Sequence, residues 1–209
     1  MSSHNSSPIE SPLFLTLALS SLLVVLALRS VALADEVNQT NGTAAAQKVP
    51  EAIVAPRGQR MARDIKYGEW RKVCFKTPGA NMVCRTSISG TWDTGQTAVR
   101  ADLIERDGEG AARLQLFLPV GLYLPAGVKL SVDQGVASQI PYVWCLTNTC
   151  IAAQVADPKF VQQMESGQKL SLELVDSNVL AVTTTLPLAE FATAHDNAPT
   201  QTFQQDVDE

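Results

Sequence analysis

The stretch Tyr67-Gly68-Glu69-Trp70-Arg71-Lys72-Val73-Cys74 decides the fold. Its period is two. Tyr67, Glu69, Arg71 and Val73 alternate with Gly68, Trp70, Lys72 and Cys74, so Trp70 and Cys74 share one face of a strand. Lys76-Thr77-Pro78-Gly79-Ala80 follows with a Pro-Gly turn signal. Val83 to Ser89 then reads as the return arm, which sets Cys74 on one strand and Cys84 on the other. Facing positions in an antiparallel pair lie about 5.5 Å apart, within disulfide reach.

The same period runs through the following residues. Thr97 to Arg106 and Ala112 to Leu118 flank Asp107-Gly108-Glu109-Gly110, with Leu114, Leu116 and Leu118 on one face. Val128 to Val132 follows a loop punctuated by Pro119, Gly121, Pro125 and Gly127. Tyr142 to Cys145 and Cys150 to Val155 make a short hairpin, and Lys169 to Val175 and Leu180 to Leu186 are the last strands. Two pieces are helical, Pro158 to Glu165, with Asp157 as its N-cap, and Leu188 to His195. The sequence therefore predicts a mainly all-β fold: an antiparallel β-sandwich or barrel-like domain of about nine short strands with two short peripheral helices. Trp70, Phe117, Tyr142 and Trp144 are expected in its core or at its rim.

Residues 64–195 form this domain. The segments around it are of a different kind. Leu13 to Leu28 is apolar and precedes Ala32-Leu33-Ala34, the cleavage pattern of an export signal, so residues 1–34 read as a signal peptide. The rival reading is an uncleaved membrane anchor. No Lys or Arg precedes the apolar run and Arg29 sits in the cleavage region, while sixteen apolar residues fall short of the roughly 20 a spanning helix needs. Residues 35–63 are a polar, Ala- and Thr-rich linker expected to be disordered, and residues 196–209 an acidic disordered tail. The linker holds Arg57, Arg60 and Arg63, a basic cluster read as solvated, with contact to an anionic surface or lipid headgroup as the alternative.

Export delivers the four cysteines to an oxidising compartment, where they pair. Each pair flanks its own turn, which favours Cys74–Cys84 and Cys145–Cys150 over the other two connectivities. Four residues separate Cys145 from Cys150 in a strand-turn-strand setting, unlike the two-residue spacing of redox motifs at helix starts. The nine residues between Cys74 and Cys84 do not suit a zinc knuckle. His4 lies in the leader, and His195 is expected to be exposed and incidental. No zinc-protease, nucleophile-elbow, phosphate-loop or calcium-loop pattern is present. Asp93, Asp102 and Asp133 lie in or beside strands, and nothing in their spacing pairs them. The reading assigns no catalytic residue, no metal ligand and no cofactor. The net charge of −5 comes without a clustered basic face in the domain, so nucleic acid is not an expected partner.

Tyr67 to Cys74 with Cys84 resembles the opening of the invasion-associated locus B family of bacterial exported proteins. Leu118-Pro119-Val120-Gly121-Leu122-Tyr123-Leu124-Pro125-Ala126-Gly127-Val128, with Asp133, is similar to that family's central segment. Cys145 to Cys150 and Leu186 to Ala194, with Phe191, fit as well, so the likeness covers about residues 65–195. The resemblance implies a β-rich fold and a periplasmic or outer-membrane-associated location, in the cell envelope or secreted. A virulence-associated role in host invasion comes with the family's label and is not deduced from these residues.

Two functions are expected. One is a non-catalytic binding or structural module that touches an unidentified envelope or host protein or a glycan. Its contact surface would be a sheet edge or the loop that carries Leu122, Tyr123 and Leu124, unless those three side chains fold into the core. The alternative is a periplasmic enzyme with a carboxylate-based site. A clustered acidic pair of raised pKa in a cleft would mark it.

Overall fold

A computed structural model describes residues 54–204. The expected signal peptide, residues 35–53 of the expected linker and the last five residues lie outside the described residues. No helix among the described residues is long and apolar enough to cross a membrane.

The strands are β1 (Gly58–Met61), β2 (Lys66–Tyr67), β3 (Arg71–Lys76), β4 (Val83–Thr91), β5 (Thr97–Arg106), β6 (Ala112–Pro119), β7 (Val128–Val132), β8 (Ser138–Ile140), β9 (Tyr142–Cys145), β10 (Thr149–Ala156), β11 (Lys169–Val175), β12 (Leu180–Pro187) and β13 (Gln201–Gln204). Helix α1 (Pro158–Ser166) falls between β10 and β11, and α2 (Phe191–Asp196) between β12 and β13. The larger sheet runs β13-β3-β4-β5-β6-β10-β9, with β2 also beside β4. The smaller runs β1-β12-β11-β7-β8. Both are open, and they form a sandwich.

The inward faces follow from the alternation. Val99, Ala101 and Leu103 of β5 and Leu114, Leu116 and Leu118 of β6 are buried against Leu130, Leu170, Leu172 and Leu186 of the smaller sheet. The expected strand from Tyr67 to Cys74 is broken: Tyr67 ends β2, residues 68–70 lie in no strand and β3 begins at Arg71, although Trp70, just before it, and Cys74 are both buried. The turn between β3 and β4 closes through Ala80 N–H donating to the Thr77 carbonyl at 3.1 Å. Gly79 takes φ 73° there, a backbone angle that costs glycine little. Helix α1 starts as its sequence dictates: the Asp157 carboxylate accepts from Phe160 N–H at 2.7 Å, and Pro158 fills the first turn. Helix α2 is anchored by Phe191, fully buried, with its ring 4.9 Å from Trp70 and edge-on to it. Trp70 Nε1 donates to the Pro187 carbonyl at 2.8 Å, so its polar atom is satisfied as its ring is covered.

The strands beyond those expected share one physical origin. The described residues hold thirteen strands rather than nine, the additions being β1, β2, β8 and β13. They are two to four residues long and read GQRM, KY, SQI and QTFQ, with no apolar alternation. Their order comes from backbone hydrogen bonds lent by a neighbouring strand, which leave no periodic signature in the side chains. Hence Gly58–Met61, assigned to the disordered linker, pairs with β12, and Gln201–Gln204, assigned to the disordered tail, pairs with β3. Both pairings are parallel, although an antiparallel fold was expected throughout. Trp144, expected at core or rim, is 65% exposed, because edge strand β9 points it away from the sandwich interior.

Candidate interaction surface

The four cysteines close two hairpins. Cys74 and Cys84 are opposite residues of β3 and β4, and Cys145 and Cys150 of β9 and β10. Both pairs are disulfide-bonded with Cα atoms 4.0 Å apart, and no cysteine is free. The second bond fixes the outermost hairpin of the larger sheet.

The loop at Leu122, Tyr123 and Leu124 is largely built into the fold. Leu122 is half-buried against the core and bridges to Asp176. Tyr123 N–H donates to the Val175 carbonyl at 2.8 Å. Leu124 opens a single turn of 3-10 helix and is the exposed member of the three. Asp133, at φ 50°, holds the neighbouring loop: its carboxylate accepts from the backbone of Gln168 and Lys169 at 3.1 and 2.9 Å. Asp93 pairs with Lys66 at 3.0 Å on the surface.

The outward face of the larger sheet is built from side chains that its register aligns. Arg100 faces Phe117, Phe117 faces Ile151, and Ile151 faces Trp144, giving one row across β5, β6, β10 and β9. The Arg100 guanidinium lies 3.8 Å from the centre of the Phe117 ring. Four residues along, Val73, Arg85, Ile104, Arg113 and Val155 make a second row across five strands. Phe203 stacks on Phe75 at 5.3 Å beyond it. Val155 is 68% exposed, and Arg113 forms no ion pair among the described residues. Between the rows Asp102 is 1% exposed and pairs with Arg100 at 3.1 Å. Burial raises its pKa, while Arg100 and Arg85 pull it down. The face is thus apolar at its ribs, cationic overall, and rigid at the Trp144 edge.

His195, expected to be exposed, is not: its side chain is 13% exposed. Its Nδ1 meets Glu165 of α1 at 2.8 Å and its Nε2 meets Glu105 of β5 at 3.0 Å. The ring stacks on Phe191, and Lys72 Nζ donates to its backbone carbonyl at 2.6 Å. The Glu105 hydrogen bond holds the imidazole above its ordinary pKa, and the same bond holds Glu105 below its own. A carboxylate held low is the opposite of the raised acidic pair that would mark an acid–base site. Sequence distance hid this cluster, since its residues lie 30 and 90 positions from His195. Glu165, His195 and Asp196 offer three metal-donor atoms within 4.8 Å of one another. Both ring nitrogens already face carboxylates, so a metal would have to displace one of them. The groove beside the cluster, about 680 Å³, is lined by no hydroxyl side chain, and the two cysteines that line it, Cys74 and Cys84, are bonded to each other. The arrangement clamps α2 onto α1 and β5.

The profile of the invasion associated locus B (IalB) protein family matches residues 70–199. The chain belongs to that family. Invasion protein B homologues of Brucella abortus, from strain 2308 and from biovar 1 strain 9-941, are 26% identical over 106 residues. That is 51% of this chain and 61% of theirs, so the match spans about three fifths of the curated relatives' length. The crystal structure of invasion associated protein B from Bartonella henselae superposes with a TM-score of 0.56 at 22% identity, over 63% of this chain and 90% of that one. At that identity the likeness speaks for the fold, which it shares. The family's relatives carry the names of invasion proteins rather than of enzymes.

Proposed function

We propose that this family member is an extracytoplasmic, non-catalytic binding module, and that the outward face of the larger sheet holds a protein of the envelope or of a host. One observation carries the reading: the row Arg100, Phe117, Ile151 and Trp144, ending on an edge strand locked by the Cys145–Cys150 bond. Trp and Arg dominate binding energy at protein interfaces, and rigid side chains lose little entropy on docking. Arg85, Arg100 and Arg113 against one buried acid, Asp102, select a partner surface with carboxylates around an apolar centre. Two disulfides and the family membership support an oxidising compartment outside the cytoplasm.

Cross-linking of the full chain in intact cells, followed by capture, tests it. Trp144→Ala is expected to weaken capture of a defined protein about thirtyfold or more, the loss of a hot spot, while thermal stability holds. Capture unchanged in Trp144→Ala and in Arg113→Glu sinks the assignment of this face. Turnover of an ester, peptide or glycan that Glu165→Gln abolishes overturns the non-catalytic reading.

A further inference from the structure

At the other end of β5 and β6 from the His195 groove, the two sheets part around a cavity of about 270 Å³. Its depth is the core itself: Val99 and Leu118 from the larger sheet, Leu174 and Val182 from the smaller, all buried. Its sides are Leu122 and Ile65. The rim carries two arginines from the sequence's basic cluster, Arg60 and Arg63. Arg60 is neutralised by Asp176, its Nε lying 3.1 Å from a carboxylate oxygen. The backbone N–H groups of Leu180 and Asn178 also donate to that carboxylate, the Leu180 bond doing most to hold its pKa low, so it stays charged. Arg63 pairs with no acid among the described residues, and the adjacent Asp64 does not line the cavity. One unmatched positive charge therefore stands over an apolar slot.

We infer that this cavity takes a single unbranched acyl chain with an anionic head, a free fatty acid, its carboxylate at Arg63 and its tail between the sheets. The volume, about 270 Å³, falls just below the usual range of small-ligand pockets, about 300–1,000 Å³, and leaves room for one chain. A bilayer glycerolipid would leave its second chain in water. The charge balance selects one negative group, because Asp176 already cancels Arg60. The tail would lie against the apolar side chains that line the slot, so the hydrophobic effect drives entry and Arg63 sets polarity. This site lies between the sheets and does not depend on the outward face.

Calorimetric titration of the full chain with decanoate, decanol and phosphatidylglycerol vesicles tests the assignment. Decanoate is expected to bind saturably at one per chain and to raise the melting temperature. Arg63→Glu is expected to weaken decanoate about fivefold or more and to leave decanol unchanged, since the exposed charge acts on the head alone. Leu122→Trp, which fills the slot from its side, is expected to abolish both. The Arg63→Glu comparison stands even where Leu122→Trp fails to fold. No saturable decanoate binding, equal response of decanoate and decanol to Arg63→Glu, or binding to vesicles without binding to monomeric decanoate each overturns it.

Discussion

Removing the two disulfides separately reads how each hairpin is held. Cys74 and Cys84 are 10 apart in sequence, Cys145 and Cys150 only 5. On loop entropy alone, bonds over loops of these lengths stabilise by about 2.7 and about 2.1 kcal/mol. The two sites differ further in burial. Cys74 and Cys84 are both buried on the inward side, whereas Cys145 is exposed on its edge strand. Cys74→Ala with Cys84→Ala therefore also strips two sulfurs from packed surroundings and adds a cavity cost. For a domain of this size about 1 kcal/mol shifts the melting temperature by roughly 3 °C. The inner pair is expected to lower it by about 8 °C or more, the outer pair by about 6 °C, in calorimetric melts of the full chain. Removing both pairs should add the two effects, since the hairpins lie at different places in the larger sheet. An outer pair costing as much as the inner, or either costing under about 2 °C, refutes the reasoning.

The His195 clamp makes stability depend on pH. Its folded pKa is raised above the ordinary 6.5, so its contribution is complete below that value and fades as pH rises through the folded one. Glu105 is held below 4.5, so its share is complete above that and fades on acidification through its lowered value. The clamp is therefore strongest between those two ordinary values, with Glu105 of β5, Glu165 of α1, Asp196 of α2 and Lys72 of β3 as the charged groups around the ring. His195→Gln is expected to flatten the alkaline fall in melting temperature, and an unchanged slope counts against the clamp. Asp157→Ala should cost about 1 kcal/mol in denaturant titrations by freeing the Phe160 N–H, and a change under about 0.3 kcal/mol would show that α1 does not rely on its cap.

The sequence by itself determined the elements whose reasons are local. The nine main strands follow from alternation, as Leu114, Leu116 and Leu118 facing inward together show. The start of α1 follows from Asp157 and Pro158, the β3–β4 turn from Pro78 and Gly79, and each disulfide joins residues flanking one turn. The motifs at Tyr67 to Cys74 and Leu118 to Val128 also carried the family. What only the tertiary structure decided depends on residues far apart in the chain. β1 and β13 are ordered by backbone bonds to β12 and β3, and no side-chain pattern announces such bonds. His195 acquires its carboxylates from α1 and β5, so its lone position near the domain's end gave the wrong exposure. Arg60 and Arg63 stood in a polar segment, and strand pairing brought them to the rim of an apolar cavity. The outward rows of the larger sheet exist only through cross-strand register, which alternation leaves open and closed packing selects, because one residue of slip would turn the buried leucines into water.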